Sequence, residues 1–270
     1  MKSSIQSFLC GKYDFVFSLG AACACSASLR DARRQFRSLP FDWVAGGTIT
    51  ERARMLENGF HNWLVKESLV YQGEQNIEYQ RKHIYLNTIT GVAFIHDFLQ
   101  SVSFDVAFDK VKAKYERRIN RLLDSIRKSN RVLAVYMESP ESKTPLPDSE
   151  LQAARKILQM SAPDVEVDLL YVCNEDTIPY TEACYETVSS GIYKAVFCYN
   201  AFNTQIPYAI NRKVVKSFFR RIRLSWKLLT MGDILERYHI FYIKKSKYKP
   251  YSVIKLFRIP IWKIYHTQKS

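Results

Sequence analysis

A chain of 270 residues that is 47% hydrophobic, with only nine Gly and nine Pro, is neither collagenous nor globally disordered and can bury a full core. Its net charge is +14, and no stretch reaches the ~18 uninterrupted apolar residues of a membrane-spanning helix. Met1 to Cys10 carries one Lys and no apolar run, so no secretory signal is expected. The six cysteines lack a C-x-x-C pair and fit free thiols in a reducing cytoplasm, not a disulfide scaffold or a zinc ribbon.

In chain order, Asp14 to Leu19 predicts a buried strand that ends at Gly20. Ala21 to Arg34 predicts a helix with Cys23 in its first turn. Arg37 to Trp43 is a loop containing Pro40, and Thr50 to Asn58 predicts a helix capped by Thr50. Residues 60–100 alternate aromatic, polar and β-branched types, with Thr90 to His96 as their clearest strand. The strongest helical pattern covers residues 108–128, where Tyr115, Ile119, Leu122, Leu123 and Ile126 share one face. Strands then follow at Arg131 to Met137, Val165 to Cys173 and Ile192 to Cys198. A helix at 148–161, capped by Asp148 or Ser149, separates the first two. This order predicts an α/β fold, a mostly parallel sheet flanked by helices.

The charge is uneven. Residues 1–211 hold 24 Lys+Arg and 24 Asp+Glu, whereas residues 212–270 hold 16 Lys+Arg against Asp233 and Glu236 alone, together with eleven aromatics. We therefore expect an α/β domain at 1–211 and a basic, aromatic-rich C-terminal tail at 212–270. Cations with interleaved Trp, Tyr and Phe suit an anionic membrane surface, and Tyr251 to Tyr265 reads as a surface-lying anchor. A solvated basic face is the plainer alternative. Nucleic acid ranks last, because no recognisable nucleic-acid module accompanies the tail.

For chemistry, Cys23 stands out. A thiol in a helix's first turn feels unpaired N–H groups and the positive end of the dipole, both of which favour thiolate. Cys25 lies roughly 200° further around the helix and cannot serve the same site. A thiolate needs a base, and His96, at the end of an apolar strand, is the best of five histidines. The structural alternatives carry weight: a free cysteine is most often packing, and a lone strand-end histidine is most often structural.

The segments Ser18-Leu-Gly-Ala-Ala-Cys23, Pro40-Phe41-Asp42-Trp43 and His96-Asp97-Phe98 resemble, in order, those of a bacterial family of unknown function described as papain-like cysteine peptidases. The resemblance covers roughly residues 12–200. It implies Cys23 as nucleophile and His96 as base, with no cofactor and no metal. Ala21 and Ala22 offer no side-chain oxyanion donor, so Gly20, Ala22 and the helix-start N–H groups are the candidates for that role. Asp42 is the candidate third residue, since Asp97 neighbours His96 on a strand and should point to the opposite face.

Three functions follow. The first is a cysteine hydrolase or acyl transferase working on a peptide, glycan or acyl donor near an anionic membrane surface. The second is a membrane-peripheral glycan or nucleotide-sugar transferase of bacterial surface-polysaccharide synthesis at the inner face of the membrane. It would use the strand–Gly20–helix turn as an anion site. The third is a non-catalytic membrane-associated scaffold in which Pro40 to Trp43 is a core plug.

Overall fold

The computed structural model describes residues 9, 11–77, 80–139, 142, 144–198, 211–238, 241–245, 251–256 and 259–265. Most of the opening segment and Cys10 lie outside these. The chain divides into two compact units, Met1–Ser225 and Trp226–Ser270.

The first unit holds two sheets. One has five strands: β1 (Phe15–Ser18), β6 (Arg131–Met137), β7 (Glu166–Asn174), β9 (Ile192–Phe197) and β8 (Ala183–Ser189), in that spatial order. The first four are mutually parallel and β8 runs antiparallel to β9. The second sheet is antiparallel, in the order β2 (Val44–Gly46), β5 (Val92–Leu99), β4 (Gln80–Asn87), β3 (Leu69–Ile77). The helices are α1 (Cys23–Asp31), α2 (Ile49–Glu57), α3 (Phe104–Arg127), α4 (Asp148–Ser161) and α5 (Arg212–Phe219).

β6 is apolar at nearly every position because both of its faces are covered. Val132, Ala134 and Tyr136 pack with residues of α2, α3 and α4, while Leu133, Val135 and Met137 pack with α1 and α5. Trp63 anchors the second sheet. Phe41, Phe60, Phe94 and Tyr115 surround it at centroid distances of 5.3–5.6 Å. Phe41 is fully buried, so Pro40 to Trp43, a 3-10 turn, does plug the core.

Several boundaries differ from expectation, each for a local reason. α2 is capped by Thr48 rather than Thr50: Thr48 accepts from the Glu51 N–H and the Glu51 side chain returns to the Thr48 N–H, a reciprocal box that fixes the start two residues earlier. α4 begins after Pro147 without a side-chain cap. α3 starts at Phe104, because Phe104 and Phe108 extend the apolar face to meet Tyr85 and Phe98. β8, half exposed, carried no continuous apolar run.

The first unit extends past 211, through α5 to Ser225. Arg212 and Lys216 pair with Asp31 of α1, and Val215, Phe218 and Phe219 are buried. Beyond α5, the Tyr13 N–H donates to the Arg223 carbonyl and the Ser225 N–H to the Tyr13 carbonyl, which covers the chain leading into edge strand β1.

The second unit contains α6 (Met231–Arg237) and an antiparallel meander of β10 (Phe241–Lys245), β11 (Tyr251–Leu256) and β12 (Ile259–Tyr265). The run expected to lie as an anchor is thus two paired strands. Its alternation of apolar residues and single cations is a period-two pattern. No helix among the described residues is long and apolar enough to cross a membrane.

Candidate active site around the Pro40–Trp43 turn

β1 delivers the chain to the carboxyl edge of the parallel sheet, where α/β proteins hold their ligands. There the Leu19 N–H donates to the Val135 carbonyl and the Ala21 N–H to the Met137 carbonyl. Ala22, in extended conformation, is the N-cap of α1, and Cys23 is its first helical residue. The alanine side chain has no oxygen with which to cap the first-turn N–H groups.

Cys23 and Cys25 differ sharply. Cys25 is fully buried, its thiol donates to the Val135 carbonyl at 3.2 Å, and burial pushes it up to about 12. It is a packing thiol. Cys23 is partly exposed.

Gly20 is explained by this packing. A Cβ there would lie 2.4 Å from the Cys25 Cβ, so only glycine lets α1 come this close to the end of β1. Its N–H donates to the Ser18 Oγ at 3.3 Å.

The Pro40–Trp43 turn is tied to the same helix. Ser26 Oγ bonds both the Cys23 carbonyl (3.1 Å) and the Asp42 carbonyl (2.9 Å). The fully buried Asp42 carboxylate accepts from Arg30 Nη2 at 2.8 Å, from Gln35 Nε2 at 2.8 Å and from the Leu39 N–H at 2.9 Å. Burial raises its pKa against the pull of Arg30 and these hydrogen bonds. Gln35 also accepts from the Ser18 N–H at 3.2 Å, which links β1 to the turn.

Trp43 completes the arrangement. Its ring lies edge-on to His96, centroids 5.7 Å apart, and beneath the Arg30 guanidinium at 5.8 Å. His96 reaches it from β5, whose Phe94 pairs with Val44 of β2, the strand directly after the turn. The three sequence motifs therefore converge. The helix carrying Cys23 and the strand carrying His96 both contact Pro40–Trp43, one through Ser26 and the other through Trp43.

Asp42, the expected third residue, accepts from Arg30, Gln35 and the Leu39 N–H, which ties it to the turn. Asp97 is likewise engaged, by Tyr115 Oη at 2.7 Å and by Lys114 Nζ of α3. His96 and Asp97 lie where the pairing shifts register: β5 runs through Ile95, His96 and Asp97 where β4 has Ile84 alone.

Arg52 escaped the sequence reading. It is fully buried, with hydrogen bonds to the carbonyls of Leu19 (3.4 Å), Ala21 (3.3 Å) and Gly46 (3.0 Å), and burial pulls it down to about 10. It braces the backbone immediately before Cys23. The signal was present, since Ile49, Arg52, Ala53 and Leu56 share one helix face. No cluster of metal-ligating side chains occurs among the described residues.

A family model described as "putative papain-like cysteine peptidase" matches residues 14–159, from β1 into α4, a span that includes Cys23, Pro40 to Trp43 and His96. The chain belongs to this family. It is also similar to an uncharacterized protein of Acanthamoeba polyphaga mimivirus, 29% identical over 118 residues, 38% of this chain and 52% of that protein. The chain thus spans about half the length of this curated relative. No solved structure matches the chain.

Proposed function

We propose that the protein is a cysteine-dependent hydrolase or acyl transferase with Cys23 as nucleophile and His96 as general base. The observation that carries the reading is the convergence of α1's first turn, the Pro40–Trp43 turn and β5 in a chain of this family. In the reaction, His96 takes the thiol proton and Cys23 Sγ attacks the carbonyl carbon of an ester, amide or thioester. The tetrahedral oxyanion is met by backbone N–H groups at the start of α1, where the dipole favours negative charge. The leaving group departs with the proton from His96, and water or an alcohol then resolves the acyl-enzyme. Arg30 and Trp43 hold the imidazole's surroundings, and Arg52 fixes the strand-to-helix turn.

Turnover of an activated thioester and ester panel tests this. Cys23→Ser lowers kcat by at least ~10³-fold, as loss of a catalytic nucleophile does, while the melting temperature stays within a few degrees. Undiminished turnover by that variant would sink the nucleophile assignment. For the second unit we retain an anionic membrane surface as partner, on the strength of its Lys, Arg, Trp and Tyr content. Deleting residues 226–270 then abolishes co-sedimentation with phosphatidylglycerol vesicles, and unchanged sedimentation contradicts it.

A further inference from the structure

Residues 1–211 carry balanced charge overall, yet one place beside the candidate site is strongly cationic. Arg30 of α1 and Arg121 of α3 converge on Ser38, Arg30 Nη2 on its Oγ at 3.1 Å and Arg121 Nη1 on its carbonyl at 2.7 Å. Arg118, one turn earlier on α3, lies over the Tyr115 ring at 5.1 Å. Burial first, then the charges of Arg37, Arg118, Arg117 and Arg30, hold Arg121 below the ordinary guanidinium value.

Three nearby carboxylates are engaged. Asp42 is fully buried between Arg30, Gln35 and Leu39, and Asp97 is taken by Lys114 and Tyr115. Farther along α3, Asp124 pairs with Arg127. Moreover, Arg30 Nε and Arg118 Nη1 are buried nitrogens with no hydrogen-bond partner. Guanidinium groups gathered as Arg30, Arg118 and Arg121 are repel one another, and leaving donors buried without acceptors adds a desolvation penalty. An arrangement of this kind is retained where an anion completes it, and the planar fork of Arg matches phosphate oxygens two at a time.

We propose that Arg30, Arg118 and Arg121 form a subsite for a phosphate group carried by the substrate of the Cys23 site. The inference deepens the proposed function. Through Arg30 the cluster touches Trp43, and through Trp43 it adjoins His96, so an anion held there presents the rest of its molecule to the nucleophile. The substrate class is thus a phosphorylated acyl donor or acceptor. This is a different place from the Gly20 turn, where the close packing of α1 on β1 calls for glycine.

The test is calorimetric titration of the full chain with inorganic pyrophosphate at low salt. Wild type and Cys23→Ser bind with the same Kd, whereas Arg118→Gln and Arg121→Gln weaken binding at least tenfold and Arg127→Gln, on the same helix, does not. Each variant's melting temperature confirms folding. Should a Gln variant fail to fold, Arg118→Lys replaces it, keeping the charge while losing the fork, and it too weakens binding severalfold. Absence of saturable binding to wild type, or equal binding by the Arg118 and Arg121 variants, overturns the subsite. Because Cys23→Ser keeps the binding, failure of the nucleophile assignment would show in turnover and leave the titration unchanged.

Discussion

Gly20 and the two neighbouring cysteines show how single atoms set this site. The Cβ that Gly20 lacks would overlap the Cys25 Cβ at 2.4 Å, so Gly20→Ala must push α1 away from β1. Overpacking of this kind costs ~1–3 kcal/mol, read as a lowered urea midpoint at unchanged slope. Cys25→Ala does not rescue it, because alanine keeps the offending Cβ; rescue by that second change would refute the packing account. At the same scale, Gln35 had no signature in the sequence. A single amide between Arg34 and Phe36 reveals its role only once β1 and the Pro40–Trp43 turn are side by side, where it spans Ser18 and Asp42. Arg52 was legible in principle, since an arginine on an apolar helix face asks for buried acceptors, and here three backbone carbonyls answer.

Among the elements, α5 is the one whose place charge counting missed. Its basic residues assigned it to the tail, but its apolar residues Val215, Phe218 and Phe219 bury it against the core, and Asp31 pairs with its cations. Burial pushes the Asp31 carboxyl up, but the Arg212 hydrogen bond and the charges of Lys216 and Arg212 outweigh it and leave its pKa lowered. A carboxylate with a depressed folded pKa stabilises above its unfolded value, about 3.9, and loses that contribution as pH falls through the folded value. Because Arg212 is largely exposed, the pair contributes only ~0.5–1 kcal/mol. Asp31→Asn therefore lowers stability by about that amount at neutral pH and removes that share of the acid loss, measured by urea unfolding at several pH values. Equal stability of variant and wild type at neutral pH would contradict the pairing. The strands and helices around this pair were otherwise readable. The continuous apolar run of β6 and the one-sided pattern of α3 follow from burial on two faces and on one. Boundaries moved where capping or a bulge decided them, as at Thr48 and at Ile95 to Asp97, because those depend on pairings that hydrophobic periodicity does not encode.

At the scale of the first unit, a parallel sheet and an antiparallel sheet meet through the Pro40–Trp43 turn, so three short segments of the chain become one place in space. Its first motif ends at a partly exposed thiol, its second is a buried plug with Trp43 at its edge, and its third brings His96 to that tryptophan. The motifs named these residues, but what surrounds Asp42 and where the arginines of α1 and α3 meet came only from the assembled fold. In the proposed reaction, this assembly makes Cys23 a thiolate nucleophile served by His96. The most direct measurement is the pH dependence of iodoacetamide alkylation at the Cys23 peptide, followed by mass spectrometry in wild type and His96→Asn. Wild type should show an inflection at least one unit below the free-thiol value of about 8.5, moving up toward that value in the variant. An inflection near 8.5 that is unchanged by His96→Asn would contradict the nucleophile assignment.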